Sequence, residues 1–283
     1  PSEEDLVSIV DRTTGTDEAA AGKICTAAEI VEMQRLARAV PIGVSVPPSR
    51  LKSRQRARAL IMAGSIRVND QPVDKPGTLV DDGDRVDLIG ADIPYVSRGG
   101  LKLEHALAHF QLDVSGQTAV DLGASTGGFT DCLLQRGASR VYAVDVGYGQ
   151  MAWKLRQDPR VIVIERTNIR YMSPDAVPEP VDLVTIDASF ISLKIVVPAV
   201  LRFLKREGML LPLIKPQFEV GKGLVGKGGV VADPARHAQV IDELGCFFAG
   251  LGLRCSEALP SPVLGPKGNR EFFMLLNVSG AHV

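Results

Sequence analysis

Thr118-Ala-Val-Asp-Leu-Gly-Ala-Ser-Thr-Gly-Gly-Phe129 is the stretch that decides the fold of this chain. It begins with a short apolar run and passes through Gly123, Gly127 and Gly128 before a helical pattern starts. This order is typical of a parallel strand, then a turn in which the backbone can approach a ligand closely, then a helix. Because the N-terminus of a helix favours anionic and nucleotide-like ligands, we predict a nucleotide-type binding turn here.

A second apolar run, Val141 to Val144, ends in Asp145, which lies 22 residues after Gly123. A carboxylate at the end of the second strand can accept hydrogen bonds from both hydroxyls of a ribose. The hydrophobic periodicity predicts strands at 118–122, 140–145, 161–165, 181–187, 208–214, 253–259 and 272–278, and helices at 101–110, 126–137, 150–157, 193–206 and 233–250. This alternation predicts an α/β fold with a Rossmann-like, mostly parallel sheet, which binds ligands outside the carboxyl ends of its strands.

Length and composition restrict the class of protein. The chain has 283 residues and a net charge of −1, so it has room for one large and one small domain. Its four cysteines are scattered, as in a reduced protein, and no run of roughly 18 apolar residues offers a membrane helix. The acidic N-terminus does not resemble a signal peptide. We predict a cytoplasmic protein without a membrane segment.

Changes in composition along the chain predict four sections. A polar, mobile tail covers residues 1–25, and a small domain covers 26–93. A short linker with Pro and Gly follows at 94–100, and the large domain covers 101–283.

The small domain carries a compact basic run, with no acidic residue between positions 50 and 67. Because the whole chain is nearly neutral, nucleic-acid binding requires such a local patch. A helix with a basic face on a small sheet can contact a phosphate backbone. The predicted RNA-binding residues are Arg50, Lys52, Arg54, Arg56, Arg58, Arg67 and, in the linker, Arg98.

The pattern from Ser53 to Pro76 resembles the S4 RNA-binding domain. Its hairpin is predicted as a strand at 66–68, a turn at Asn69 and Asp70, and a strand at 71–73. The first part is atypical, because residues 44–50 are interrupted by proline where an S4 domain has a helix. We expect a helix at 26–40 in its place.

Two classes of cofactor fit the turn of the large domain, dinucleotides and S-adenosylmethionine. The G-x-G-x-x-G spacing of dinucleotide sites is absent from residues 123–128. Asp121, two residues before Gly123, is instead placed where an acid can meet the ammonium of a methionine moiety. These residues favour S-adenosylmethionine.

Two other motifs are weaker. Residues 221–228 nearly match a P-loop, but Gly228 stands where the magnesium-binding hydroxyl belongs. We therefore expect a flexible Gly-rich loop near the site. His105 and His109 lie one helical turn apart, yet no third ligand suggests itself nearby, so no metal site is predicted.

A set of two lysines and two carboxylates suits methyl transfer to a hydroxyl. Such a transfer needs an aligned acceptor and a base for its proton, and a lysine can be that base if burial or a second cation favours its neutral form. The chain offers Lys102 at a helix start, Asp187 and Lys215 at strand ends, and Glu271 at the start of the last strand. We predict that these four catalytic residues converge at the cofactor edge of the sheet.

Long motifs then resemble one family. They are residues 97–103, 121–131, 144–150, 186–193, 213–219 and 265–272, and they are similar to the haemolysin-A-type (TlyA) family. The resemblance, which extends from about Ser53 to the C-terminus, implies a small N-terminal α+β S4-like domain joined to an FtsJ-like, S-adenosylmethionine-dependent methyltransferase sheet. It also implies activity on ribose 2′-hydroxyls of ribosomal RNA, with ribosomal RNA or ribosomal subunits as partners.

The resemblance also implies roles for single residues. Lys215 is implied as the base, Lys102 as the cation that grips the substrate, and Asp187 and Glu271 as the carboxylates that orient both. The implied cofactor-binding residues are Asp121, Gly123, Ser125, Gly127, Gly128, Phe129, Asp145, Val146, Asn168 and Asp187, with Asp145 on the ribose and Asn168 on the adenine.

Other functions remain open at this point. The alternatives are a catalytically inactive factor that binds RNA or ribosomes, a membrane-active haemolysin, and an NAD dehydrogenase. The sequence leaves open the oligomeric state, the modified nucleotide and the role of residues 1–45.

Overall fold

The structure is a computed structural model that describes residues 25–26, 60–61, 66–73, 75, 77–80, 84–88, 93–221, 223–265 and 267–278. The chain divides into two compact units, Pro1–Gly90 and Ala91–Val283. Apart from Cys25 and Thr26, which form a short strand, the predicted tail and the helix predicted at 26–40 fall outside the described residues, as does most of the basic helix. Among the described residues, no helix combines the length and the apolar character needed to cross a membrane.

The small unit contains five short strands in its described part. Strand β1 (Cys25–Thr26) pairs antiparallel with β4 (Leu79–Val80), and β2 (Ile66–Val68) lies between β3 (Gln71–Val73) and β5 (Val86–Leu88). The β2–β3 turn places Asn69 at φ 49° and Asp70 at φ 65°. Two successive positive φ values match the twist of a tight hairpin, and Asn and Asp tolerate them. The predicted hairpin is confirmed.

The large unit is organised around a mixed sheet. Its strands are β6 (Thr118–Leu122), β7 (Arg140–Val144), β8 (Val161–Ile164), β9 (Val181–Ile186), β10 (Leu204–Ile214), β11 (Leu253–Cys255), β12 (Leu259–Pro260), β13 (Phe272–Phe273) and β14 (Leu276–Val278). Along the main path the order is β11-β14-β10-β9-β6-β7-β8. The five neighbouring strands β10, β9, β6, β7 and β8 are parallel, and β14 is antiparallel to both of its neighbours. The predicted α/β sheet is confirmed.

Helices cover both faces of this sheet. They are α1 (Gly99–His109), α2 (Gly128–Gln135), α3 (Trp153–Arg156), α4 (Leu193–Val200), α5 (Pro216–Glu219) and α6 (Pro234–Gly250). Adjacent residues of β6 face opposite sides, so Ala119 packs in the core formed with α1 and α2, and Val120 packs in the core formed with α4 and α6. Both strand faces are therefore apolar, as the continuous hydrophobic runs indicated.

The helix predicted at 193–206 is too long. Helix α4 ends at Val200, a 3₁₀ turn follows at Leu201–Phe203, and Leu204 already pairs with Val181 in the sheet. Lys205 then forms an ion pair with Asp182 at 2.6 Å. The pairing of Leu204 and of residues 209–212 with β9 thus keeps the polar residues 205–207 in the strand, against their helical preference.

The strand predicted at 272–278 is interrupted. Strand β13 pairs with the end of β10 (Leu213 with Phe273), and β14 pairs with its middle (Leu210 with Leu276). The register is the same on both sides of the gap. Met274 lies opposite Pro212 and donates its N–H to the Pro212 carbonyl at 3.4 Å. Because Pro212 has no N–H to donate in return, the ladder of hydrogen bonds is incomplete there.

The predicted linker is packed into the large unit. Tyr95 and Val96 are buried, and the Val96 backbone N–H donates to the Asp131 carboxylate at 2.8 Å. Gly100 lies against the Tyr95 ring so closely that a Cβ at this glycine would be 2.1 Å from it. Gly100, one of the residues that indicated a linker, is needed here for close packing.

Candidate active site

The candidate site lies where the strand order reverses, at the carboxyl ends of β6 and β9. The Asp187 N–H donates to the Leu122 carbonyl at 2.8 Å, and the Gly123 N–H donates to Val144 at 2.9 Å. The sheet therefore holds the first residue after each strand. Such a switch point is where open α/β sheets bind ligands.

The turn after β6 depends on glycine. Gly123 has φ 82° and Gly127 has φ 96°, in the left-handed region that glycine adopts freely. A Cβ at Gly123 would lie 2.6 Å from the Asp187 carbonyl oxygen, and one at Gly127 would lie 2.3 Å from the Leu155 side chain. The turn therefore packs directly against the Asp187 backbone and the Leu155 side chain, and neither glycine position has room for a side chain.

Asp145 is held by two backbone groups. Its two carboxylate oxygens accept from the Ser125 N–H at 2.8 Å and from the Gly147 N–H at 2.6 Å. The side chain is half-buried, so lone pairs remain for other donors. Beside it, Val146 is 70% exposed. The Val146 side chain offers an apolar surface on which a nucleobase can pack, and the adjacent Asp145 carboxylate offers acceptors for ribose hydroxyls.

Asn168 is exposed and begins the 3₁₀ turn at Ile169–Tyr171. Its side-chain oxygen accepts from the Arg170 N–H at 3.1 Å. The side-chain amide is thereby oriented, and its NH₂ group is available as a donor.

The predicted contact between Asp121 and a ligand ammonium stays a prediction, and the structure places this side chain in a buried hydrogen-bond network. Asp121 has no exposed surface. One carboxylate oxygen accepts from the N–H and hydroxyl of Thr130 at 2.9 and 2.7 Å, and the other accepts from the Thr185 hydroxyl at 3.2 Å. Asp121 therefore ties the start of α2 to β9 from below the turn.

The Phe129 side chain is also a core residue. It is 3% exposed, and its ring centroid lies 6.0 Å from that of Phe273. Gly128 is likewise closed in, because a Cβ there would lie 2.2 Å from the Ser97 hydroxyl oxygen. Both positions support the packing of α2, and the predicted place of Phe129 at the cofactor stays a prediction, one that its backbone rather than its buried ring would meet.

Burial raises the pKa of Asp121 to about 7, and the nearby Asp187 carboxylate adds to that rise, while the hydrogen bonds from Thr130 and Thr185 oppose it. The folded protein keeps the Asp121 proton to a higher pH than the unfolded chain does, where the group titrates near pH 4. Its contribution to stability is therefore complete below about pH 4 and is lost as the pH rises to about 7.

Asp121→Asn is expected to remove this pH dependence. The free energy of unfolding of the variant should fall less between about pH 4 and about pH 7 than that of the wild type, measured by denaturant titration at several pH values. Other titrating groups are shared by both proteins and cancel in the comparison. Equal slopes would contradict the assignment.

Lys102 and Glu271 form a buried ion pair. The Lys102 Nζ lies 2.6 Å from a Glu271 carboxylate oxygen, and the side chains are 9% and 1% exposed. The other oxygen of Glu271 lies against Gly265, where a Cβ would be 2.4 Å away. Glu271 is thus enclosed by its own loop and aimed at the first turn of α1.

Lys215 and Asp187 form the second pair. The Lys215 Nζ lies 2.6 Å from a carboxylate oxygen of Asp187, 3.0 Å from the Ser189 hydroxyl and 3.4 Å from the Asp187 carbonyl. The Lys215 ammonium donates hydrogen bonds to the Ser189 hydroxyl and the Asp187 carbonyl, and its contact with the Asp187 carboxylate is an ion pair without hydrogen-bond geometry. The nitrogen is therefore fixed in position.

The strand register places the two pairs side by side. Ile214 pairs with Phe272, so Lys215 and Glu271 are the next residues on two neighbouring strands. The structure therefore brings the predicted set Lys102, Asp187, Lys215 and Glu271 together at one end of the sheet. Two cations and two carboxylates there can bind the oxygen of an acceptor hydroxyl and accept its proton.

Three side chains near this set were not singled out from the sequence. Ser189 and Glu219 lie within the motifs at 186–193 and 213–219, but nothing in their spacing signals their contacts. Asn269 accepts from the Val231 N–H and donates to the Gly229 carbonyl, both at 3.0 Å. It thereby fixes the end of the predicted Gly-rich loop beside the loop that carries Glu271.

The predicted RNA-binding residues are only partly described. Arg67 is exposed on β2, and Arg98 is half-buried at the start of α1. The five basic residues from Arg50 to Arg58 fall outside the described part of the chain. No group of three or more metal-binding side chains occurs within the described ranges.

The fold and the site together define a methyltransferase of the doubly wound α/β class. Residues 95–278 match the family model of FtsJ-like methyltransferases, and residues 50–86 match that of the S4 domain. The chain therefore belongs to the FtsJ-like methyltransferase family and carries an S4 domain, as its motifs predicted.

Named relatives agree with this assignment. The 16S/23S rRNA (cytidine-2′-O)-methyltransferase TlyA of Mycobacterium tuberculosis is 48% identical over 226 residues, which cover 80% of this chain and 84% of the relative. Hemolysin A of Brachyspira hyodysenteriae is 37% identical over 222 residues, 78% and 92% of the two chains. A solved structure of a Streptococcus thermophilus protein named as a hemolysin is 40% identical, with a TM-score of 0.68 over 91% of this chain and 89% of its own. The predicted TlyA-type family is confirmed.

S-adenosylmethionine is the cofactor of this enzyme class, and the residues present fit it. The half-buried Asp145 carboxylate would hold ribose hydroxyls, and the exposed Val146 would contact the adenine. The Asn168 amide would reach the edge of the same base. Ser125 and the glycines of the turn bring the backbone beside this place.

Proposed function

We propose that this chain transfers a methyl group from S-adenosylmethionine to ribose 2′-hydroxyls of ribosomal RNA, acting on ribosomal subunits. The observation that carries the proposal is the adjacent placement of the Lys102–Glu271 and Lys215–Asp187 ion pairs. Buried lysines with individual carboxylate partners are costly to maintain, so a function in the reaction accounts for them better than stability does.

The proposed chemistry assigns one task to each side chain. S-adenosylmethionine, when bound, supplies a methyl group on a positively charged sulfur. Lys215, after it has given up one proton, accepts the proton of the 2′-hydroxyl on Nζ, and Asp187 keeps that nitrogen in place. Lys102, fixed by Glu271, attracts the oxygen as it becomes negative.

The S4 domain supports RNA as the substrate. A 2′-hydroxyl distinguishes RNA from DNA, and a separate RNA-binding module gives a reason for acting on a large structured RNA. The catalytic unit itself would then receive one nucleotide that has been moved out of its stack, as enzymes acting on nucleotides commonly require.

Purified protein is expected to transfer labelled methyl groups from S-adenosylmethionine to isolated ribosomal subunits. Because a 2′-O-methyl group blocks the hydroxyl that alkali uses to cleave RNA, the label should remain in alkali-resistant dinucleotides. Mapping 2′-O-methylation in cells with and without the protein would locate the nucleotide.

A synthetic RNA with a 2′-deoxy nucleotide at the mapped position is the control, and it should accept no methyl group there. Label in a base would contradict the 2′-hydroxyl as acceptor. Binding of subunits without any transfer would identify an inactive RNA-binding factor instead.

A further inference from the structure

Glu219 lies outside the four-residue set, yet its carboxylate joins two segments of the site. One oxygen accepts from the Ser192 hydroxyl at 2.6 Å, and the other accepts from the Leu193 N–H at 2.8 Å. The Ser192 hydroxyl oxygen in turn accepts from the Lys194 N–H at 3.1 Å and caps α4. Burial raises the pKa of Glu219 above its usual range. Hydrogen bonds to a buried carboxylate are strong, so this contact is a firm anchor.

This anchor is one of three contacts between residues 215–219 and the loop at 187–193. At one end, Lys215 contacts Asp187 and Ser189. In the middle, the rings of Phe218 and Phe190 lie 4.9 Å apart. At the other end, Glu219 holds the start of α4.

Helix α5 needs external support because it is a single turn of four residues. One turn cannot maintain itself, since its few hydrogen bonds do not offset the cost of ordering the chain. Pro216 at its first position fixes one backbone angle but supplies no donor. The contacts at its two ends therefore decide where the preceding residue, Lys215, lies.

The facing loop shows that it is held in place. Phe190 is 90% exposed and has φ 63°, which is a strained conformation for an aromatic residue. Such strain persists only where surrounding contacts fix the backbone. The Glu219 carboxylate bonds to the same loop two residues later.

We propose that Glu219 is a positioning residue for methyl transfer. By fixing α5 against the start of α4, it keeps the Lys215 Nζ at the place where the acceptor hydroxyl is deprotonated. This inference rests on the proposed function and adds to it a residue that touches neither cofactor nor substrate.

Glu219→Ala is expected to lower kcat by about 10- to 100-fold, because a misplacement of about 1 Å at a reacting group has effects of that size. The KM for S-adenosylmethionine should change much less than kcat, since Asp187 is the one implied cofactor-binding residue on the loop that Glu219 holds, and the others lie on other segments. Glu219→Gln should restore most of kcat, because its amide oxygen can accept from Leu193 and its NH₂ can donate to the Ser192 hydroxyl oxygen.

Asp182→Ala is the matched control. Asp182 also accepts one backbone N–H, from Thr118 at 3.0 Å, and one side-chain donor, Lys205 at 2.6 Å, but it lies at the amino end of β9. This variant should lose stability and keep the wild-type kcat. A general loss of stability would therefore not imitate the effect expected for Glu219.

The outcomes separate the two proposals. If the wild type transfers methyl groups and Glu219→Ala has the same kcat, this inference is overturned while the proposed function stands. If the wild type transfers none, both fall. Should Glu219→Ala fail to fold, Ser192→Ala carries the test, and a kcat equal to that of the wild type would overturn the inference.

Discussion

Lys215→Ala is expected to reduce kcat for methyl transfer by about 10³-fold, the size of effect typical for loss of a general base. The Lys215 Nζ is the atom that contacts Asp187 and Ser189 at the end of β10, and no other described lysine shares those partners. The substitution leaves the cofactor turn and the S4 domain untouched. Binding of S-adenosylmethionine, measured by calorimetry, and binding of RNA should therefore remain close to wild type.

Lys205→Ala provides the matched control on the same strand. Lys205 pairs with Asp182 of β9 at 2.6 Å, the same separation as in the Lys215–Asp187 pair, but at the opposite end of the sheet. Its ion pair is largely exposed, so its loss should change stability by less than about 1 kcal/mol and leave kcat unchanged. Full methyl transfer by Lys215→Ala would refute the assignment of the base.

Gly123→Ala is expected to abolish most activity and to lower the free energy of unfolding by about 2 kcal/mol or more. The residue has φ 82°, and the added Cβ would lie 2.6 Å from the Asp187 carbonyl oxygen and 2.8 Å from its carbon. Backbone cannot move aside as a flexible side chain can. The substitution must therefore displace Asp187, which fixes Lys215, together with the cofactor turn.

Gly116→Ala separates the two causes of this effect. Gly116 has φ 72°, but a Cβ there meets nothing within 4 Å. It should show the conformational cost alone, on the order of 1 kcal/mol, with normal methyl transfer. Denaturant unfolding and calorimetry with S-adenosylmethionine on both variants would measure the difference. Equal losses would mean that the contact with Asp187 is unimportant.

The sequence predicted most of the large unit because its elements have strong local signals. Strand β6 begins and ends where its apolar run does, at Thr118 and Leu122. The predictions failed where long-range pairing decided the outcome. Nothing local shows that β10 starts at Leu204, which pairs with β9, or that Pro212 interrupts the pairing of β10 with the last two strands.

The sequence predicted which charged residues lie together in the site. It was less informative about the role of each motif residue. The four charged residues lie within the family motifs. Because they are placed at strand ends or at a helix start, they were expected at the same edge of the sheet. Asp121 and Phe129 belong to the same motif as the binding turn, yet both are buried beneath it. A motif preserves residues that build a turn as well as residues that touch a ligand, and only packing distinguishes them.

The Lys102–Glu271 contact joins positions 169 residues apart, so its two halves are made at very different times during synthesis. A nascent chain displays its cofactor turn long before Glu271 has left the exit tunnel. Until β13 pairs with β10, the Lys102 ammonium lacks the Glu271 carboxylate. The chain can therefore transfer methyl groups only after its last strands have folded. Truncated chains that end before residue 271 should show no methyl transfer.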